Sequence, residues 1–449
     1  MKTLLIRGEN VDFQGLTGKV ITHSDKEYQV LRLEYNRDIN KFPLVIVYCY
    51  NNTDVSNAIR WCRKNDISLR IRTGGHNYEG YSTSNGALVL DTTYMNNVEI
   101  DEKNDIVKIQ AGARLGKVYS ELAKKGYAFA GGTCPTVGIS GLTLGGGIGL
   151  SSRNFGLTAD NLLELEMINA KGAKITANNQ ENPKLFWACR GAGGGNFGVA
   201  TSYVFKAQKV NKITVIELRW DNESREDFVE LWQYWLKTAD KRISCFAGFN
   251  KEGIYLNGFF YGSKSEAKLI LKDFLSLPKL LENSSIEYVA FIDAIKAIGA
   301  FYDPPNKFKA TGRFVYKPLS RKDIRRLVQY IQDSPGADEC FIRLYSLGGA
   351  IDDIPNNHTA YYYRKAEYIL GITADWEDDD NENEYKNWVE KVFSFVKPLT
   401  NGSYVNFPYA ELPDYGHEYY GKNYYVLKEV KKLYDPTNFF KFQQSIRPY

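Results

Sequence analysis

Between Gly131 and Gly149 the chain carries eight glycines in nineteen residues: Gly131-Gly132-Thr133-Cys134-Pro135-Thr136-Val137-Gly138-Ile139-Ser140-Gly141, then Gly145-Gly146-Gly147-Ile148-Gly149. No helix or strand tolerates that density unless its backbone must approach something closely. A large flat cofactor is the economical explanation. A second glycine signal precedes it. The alternating run Ile67 to Ile71 reads as a strand and leads into Arg72-Thr73-Gly74-Gly75-His76-Asn77-Tyr78-Glu79-Gly80-Tyr81-Ser82. Paired glycines after a strand can turn several N–H groups toward one anion, typically a phosphate. His76, one of four histidines, sits inside that turn. Taken alone, the segment fits an ordinary surface loop as well.

Charge and cysteine usage narrow the function class. The net charge of +4 is too slight a bias to point to nucleic acid or an anionic membrane. No apolar stretch reaches membrane-spanning length. The opening Met1 to Glu9 has too short an apolar run for a secretory signal. Six scattered cysteines show neither zinc nor disulfide spacing, so no metal is expected and a reducing cytoplasm is. Five of them lie in apolar stretches as small core residues, and Cys134 does not. Aromatic content is high, with 32 Tyr, 24 Phe and 7 Trp. Such side chains wall sites for flat or sugar-like ligands, and they also simply build sheets.

Along residues 1–207 short strands alternate with helices. Pro43 to Val47, Ala87 to Asp91, Ile106 to Ala111 and Leu165 to Asn169 read as strands. Asn52 or Thr53 caps a helix with Val55, Ile59 and Cys62 on one face. Leu115 to Lys125 is a helix stopped by Gly126. Gly193-Gly194-Gly195-Asn196-Phe197-Gly198 matches the dinucleotide fingerprint in form only. That fingerprint needs a strand before it and a helix after it. Here Leu185 to Arg190 is helix-like and Val199 to Phe205 is strand-like, so no nicotinamide cofactor is implied.

From residue 208 to 400 glycine thins out. Val215 to Trp220, Cys245 to Asn250, Ile254 to Tyr261, Cys340 to Ser346 and Ala360 to Ile372 read as strands, the second and third as a hairpin. Phe228, Leu231, Trp232 and Trp235 stripe one helix, and Ser265 to Leu275, Ser320 to Gln332 and Tyr385 to Val396 are others. The expectation is an α+β unit, an antiparallel sheet with helices on one face, with Glu377 to Glu384 a solvated loop. Residues 401–449 form an aromatic tail that either returns to cover a cofactor held by the first unit or is a plain helix and turn.

Together these marks resemble the berberine-bridge-enzyme-like flavoprotein oxidases of the vanillyl-alcohol-oxidase flavin fold, near bacterial oligosaccharide-oxidase-like members. The resemblance runs from about Tyr35 to the C-terminus. It rests on Arg72 to His76, Gly132-Thr133-Cys134 before Val137-Gly138, Gly145 to Gly149, Gly195 to Gly198, Tyr404-Val405-Asn406-Phe407 and Tyr420-Gly421-Lys422-Asn423-Tyr424. It implies a two-part FAD-binding domain, 1–207 with 401–449, around a substrate domain, 208–400. It implies FAD joined covalently through its 8α-methyl to His76 and through C6 to Cys134. Around the cofactor it places Arg72, Thr73, Gly74, Gly75, Asn77 and Ser82 from the first loop. Gly138, Gly141, Gly145, Gly146 and Gly149 come from the second, with Asn196, Gly198 and Val199 from the third and Tyr420 and Asn423 from the tail.

The implied reaction is hydride transfer from substrate carbon to flavin N5, proton removal by a base, and reoxidation by O2. Val137 matches the position that gates oxygen, in its oxygen-permitting form, and Tyr78 matches an active-site tyrosine. The chain departs from the pattern twice. Phe407 stands where a tyrosine often acts as base, and Gly371 stands where a Gln or Glu faces substrate. Tyr409, Tyr363 and Tyr78 are the substitutes available for proton transfer. The expected activity is oxidation of an alcohol or hemiacetal carbon, sugar-like by preference, with hydrogen peroxide as product. A tailoring oxidase of secondary metabolism and a slow flavin-binding redox sensor are the other readings.

Overall fold

The structure, a computed structural model, describes all residues except 1, 2, 7, 8, 301, 303 and 337, with side chains from residue 12 onward. The opening segment read above as no signal lies partly outside the described residues. Among them, no helix is long and apolar enough to cross a membrane, and no cluster of His, Cys, Asp or Glu could hold a metal.

The first sheet has the order Lys19–Thr22, Val45–Tyr48, Leu88–Asp91, Leu69–Arg72. Its last three strands are parallel. Val45–Tyr48 and Leu88–Asp91 are buried along their whole length, as parallel strands covered on both faces must be. The helix Asn52–Lys64 makes the crossover. Its cap is Asn51, one residue earlier than the sequence suggests. Asn51 is extended, and its Oδ1 accepts from the Thr53 and Asp54 N–H groups at 2.9 and 3.1 Å. The loop bearing His76 leaves the carboxyl end of Leu69–Arg72, where open α/β sheets bind their ligands.

A second sheet is antiparallel throughout: Lys174–Asn178, Leu162–Ile168, Val199–Lys206, Ile106–Gln110, Val98–Asp101. The Gly193–Gly198 turn joins the helix Pro183–Ala188 to the strand Val199–Lys206. That helix-then-strand order is the reverse of a dinucleotide fold. Gln208–Lys209 pairs back onto Tyr127–Ala128, so the first unit runs two residues past 207.

The third sheet has seven antiparallel strands: Ser285–Ala290, Lys212–Trp220, Ile254–Phe260, Ile243–Phe249, Cys340–Ser346, Tyr368–Trp376, Lys307–Val315. Its period-2 alternation gives two unlike faces. Trp220, Ile342, Tyr368 and Leu370 point to the helices Arg225–Thr238, Arg321–Gln332 and Glu382–Val396, with Trp232 edge-on to Tyr368 at 6.4 Å. Arg219, Tyr255, Phe341, Arg343 and Tyr345 point the other way, into a cavity.

Several elements differ from expectation. The strand expected from Ala360 begins only at Tyr368 and runs to Trp376. Before it, the Ala360 and Tyr361 N–H groups bond to the carbonyls of Trp187 and Arg190, which docks this stretch against the first unit and away from the sheet. The helix expected over Ser265 to Leu275 is broken at Leu271 into Lys264–Ile270 and Lys272–Leu275. The acidic run is not all loop. Glu382 and Glu384 open the helix Glu382–Val396, where carboxylates suit the positive end of the helix dipole.

The tail folds as helices Tyr415–Tyr420 and Asn423–Tyr434. Fully buried Lys431 donates to the carbonyls of Asn196 and Phe440 at 2.6 and 2.7 Å and to Asp435 at 2.8 Å. One cation thereby ties the last helix to the third glycine turn.

Candidate active site

The first two glycine loops interlock. A Cβ at Gly74 would stand 2.5 Å from the Gly138 nitrogen, and one at Gly138 would stand 2.5 Å from Thr73 Cγ2. Only glycine at both positions lets the backbones touch, and that contact brings His76 beside Cys134. The imidazole stacks on Tyr35 with centroids 3.8 Å apart. Its Nε2 lies 3.0 Å from the Thr136 hydroxyl, which is 3.3 Å from Cys134 Sγ. Burial, helped by the Arg114 charge, lowers the His76 pKa to about 3, so the ring is neutral.

Three of the loop's polar residues shape it. Arg72 is buried, its Nε donating to Asp91 at 2.6 Å across the parallel strand pair, with Glu34 3.5 Å away. Desolvation raises the Glu34 pKa although Arg72 opposes it. Ser82 donates to Glu34 at 2.8 Å. Asn77 Oδ1 accepts from the N–H groups of Glu79 and Tyr81 at 3.1 and 3.0 Å.

A cavity of 910 Å³ opens from these loops, near the upper end of the ~300–1,000 Å³ usual for ligand sites. Thr73, Gly74, Gly75, His76, Asn77, Tyr78 and Ser82 line it, as do Cys134, Val137, Gly138, Gly141, Asn196, Gly198 and Tyr420. A Cβ at Gly141 would meet nothing within 4 Å, and at Gly194 only Leu144 at 3.9 Å, so the floor here is bare backbone.

Other site candidates sit behind the lining. Gly145 is packed against Asn406, Gly146 against Tyr361 and Gly149 against the Gly131 carbonyl, in contacts no side chain could enter. Val199 is buried in the core of the first sheet and its helix. Asn196 also anchors the tail, accepting from the Ile446 N–H at 2.9 Å, and Tyr420 donates to the Ala192 carbonyl at 2.8 Å. Asn423 donates to the Asn356 and Thr359 carbonyls, away from the cavity.

Of the tyrosines proposed for proton transfer, only Tyr78 lines the cavity, its ring stacked on Phe407 at 5.4 Å. Tyr363 lies off the lining, donating to the His417 carbonyl at 2.9 Å with its ring on Phe314. Tyr409 packs on Phe393 under the Lys309 ammonium. Burial raises the pKa of both, and their place outside the cavity lining keeps both from a substrate proton.

The opposite wall holds residues that the motif reading missed. One register row across the third sheet reads Arg219, Tyr255, Gly248, Arg343, Gly371, Gly312. Its three glycines let rings lie down on the sheet: Tyr255 over Gly248, Tyr345 over Gly371, Phe407 over Gly312. Arg343 Nη1 donates to the Tyr255 hydroxyl at 3.0 Å, and its guanidinium covers Phe341 at 4.3 Å. Among the described residues no carboxylate lies within 4.0 Å of it. Burial raises the Tyr345 and Tyr78 pKa values, and Arg343 opposes the rise in both. The available signal was the alternation Phe341, Arg343, Tyr345 on an otherwise apolar strand.

Comparison with known proteins agrees with this geometry. A family profile described as FAD binding domain matches residues 43–178, and one described as berberine and berberine like matches 403–447. Two proteins of Bacillus subtilis (strain 168), the uncharacterized FAD-linked oxidoreductases YgaK and YvdP, are 36% and 37% identical over 441 and 443 residues. Each alignment covers 96% of this chain and 97% or 98% of the relative. The solved structure of Physcomitrella patens BBE-like 1 superposes with a TM-score of 0.90 at 28% identity, over 96% of this chain and 97% of that one.

Proposed function

The chain belongs to the berberine-bridge-enzyme-like FAD-linked oxidoreductases, and from that premise we propose that it is an oxidase of alcohol or hemiacetal carbons, with a sugar-like donor and dioxygen as acceptor. The observation that carries the reading is one continuous cavity with two unlike walls. One is bare glycine backbone edged by His76 and Cys134. The other is a polar and aromatic sheet face.

The residues fit FAD. Gly141 and Gly194 leave exposed backbone that a Cβ would not obstruct. A neutral imidazole and a thiol, both nucleophiles, stand on one edge, and we assign them the two covalent links to the cofactor. Held there by the glycine loops, FAD would supply the hydride acceptor and the redox link to dioxygen.

The remaining steps belong to this chain. Tyr78, Phe407 and Phe341 line the cavity and give a flat or sugar-like substrate an aromatic wall. Tyr345, beside Arg343, takes the substrate hydroxyl proton, with the guanidinium charge offsetting the desolvation that opposes a tyrosinate. Val137 lines the cavity three residues beyond Cys134, and we assign it the position that admits dioxygen.

Two measurements test this. Protein precipitated with acid should keep its yellow colour in the pellet, losing it only when both His76 and Cys134 are replaced by alanine. Purified enzyme given a panel of mono- and oligosaccharides should release hydrogen peroxide with at least one of them. Silence across the panel, with the flavin intact, removes sugars as donors.

A further inference from the structure

We infer that Thr136 is the positioning residue that presents both nucleophiles, His76 and Cys134, to the cofactor, an inference that rests on the two-point attachment proposed above. Its hydroxyl stands 3.0 Å from His76 Nε2 and 3.3 Å from Cys134 Sγ. A hydroxyl has one proton to give and lone pairs to receive, so one orientation serves both neighbours. The imidazole Nε2–H donates to Thr136, and Thr136 donates to the cysteine sulfur. A neutral ring has a single N–H. With that proton on Nε2, the lone pair resides on Nδ1, and the Thr136 backbone adds a second hydrogen bond to the ring. The same chain of donation orients the cysteine sulfur through the Thr136 hydroxyl. The opposite direction would place the proton on Nδ1 and leave the sulfur without a donor.

The backbone holds Thr136 in place. The carbonyls of its neighbours Pro135 and Val137 accept from the N–H groups of Gly116 and Leu115 at 2.8 and 3.0 Å, and the Val137 N–H bonds to the Cys134 carbonyl at 3.3 Å. Tyr35 holds the His76 ring from its face. Thr136 itself is exposed and does not line the cavity. It stands behind the nucleophiles, on the solvent side, and touches no substrate position.

The chemistry balances at each site. A carbon–hydrogen bond of the cofactor and the N–H or S–H of the residue are exchanged for one carbon–nitrogen or carbon–sulfur bond. The two protons and two electrons released reduce one dioxygen to hydrogen peroxide. On the histidine side the Nε2 proton leaves by way of the Thr136 hydroxyl to water.

The test uses the holoprotein as purified, in Thr136→Val and Thr136→Ser forms. Flavopeptides spanning His76 and Cys134 are quantified by mass spectrometry, and total flavin by absorbance. Thr136→Val should bind flavin and keep its fold, with the doubly linked fraction down about two- to tenfold, the scale of one lost hydrogen bond between neutral groups. Thr136→Ser should restore it. Both linkages at the wild-type level in Thr136→Val overturn the inference. So does equal impairment of the Val and Ser forms, which would make the side chain's shape the cause. Wild-type protein with no covalent flavin would overturn the two-point attachment itself, a result distinct from either.

Discussion

Gly371 lies directly beneath the ring of Tyr345: a Cβ at 371 would come within 2.9 Å of Tyr345 Cε2. The glycine is what allows the tyrosine to lie across the strand pair beside Arg343, its register partner. A position expected to carry a Gln or Glu has in effect ceded its space to a neighbour's phenol.

Removing that phenol is the direct test of proton transfer. Tyr345→Phe should leave flavin content unchanged and lower kcat by about 10²-fold or more, the usual worth of a general base. Gly371→Gln should lower kcat through displacement of the ring. Peroxide release under saturating donor reads both. An unchanged kcat in Tyr345→Phe returns the role to Tyr78.

Arg343 should be visible in the pH profile. A positive charge beside Tyr345 favours the tyrosinate and so lowers its pKa. In Arg343→Gln the tyrosine therefore keeps its proton to higher pH. The rising limb of the kcat/KM profile, which reports deprotonation of the base, should move to higher pH relative to wild type, measured between pH 6 and 10. A profile that stays in place separates Arg343 from the proton acceptor.

His76 predicts an absence of pH dependence. With a pKa near 3 it is neutral at every pH from 5 to 8. In a Cys134→Ala background, the rate at which added FAD becomes acid-stable should be flat across that range. An imidazole with the ordinary pKa of about 6.5 would lose about 30-fold between pH 8 and 5. A fall of that size would mean that the ring is protonated like a surface histidine.

The contact between Gly74 and Gly138 predicts a double loss. Gly74→Ala places a methyl 2.5 Å from a backbone nitrogen, and no flexible side chain can yield there. The loops must separate, at a cost of about 1–3 kcal/mol for overpacking. Both thermal midpoint and flavin content should drop. Gly141→Ala, with open space around it, should leave the thermal midpoint nearly unchanged and affect only the bound cofactor.

Much of the first unit could be read directly. The glycine clusters, the strand before His76 and the helix-then-strand order around Gly193–Gly198 are local patterns, and local sterics impose them. The second unit was legible as alternating strands and striped helices, while the sheet edges of both units were less so. Val98–Asp101, Lys174–Asn178, Ser285–Ala290 and Lys307–Val315 are strands whose mixed composition carries little signal. Their pairing comes from neighbours distant in sequence, and edge strands can afford polar faces.

By itself the sequence determined which stretches must expose backbone, where two nucleophiles sit in glycine-rich loops, and the α+β character of the second unit. Glycine's missing Cβ and the two hydrophobic periods act over a few residues, so they are written locally. The tertiary structure alone decided that Thr136 stands between His76 and Cys134, and that Tyr363 and Tyr409 are turned away from the cavity. It also decided that Tyr345 and Arg343 face the cavity from the third sheet. Those relations depend on register across seven strands and on a tail pinned by buried Lys431. Register is set by the packing of whole faces, and no short stretch of chain encodes it.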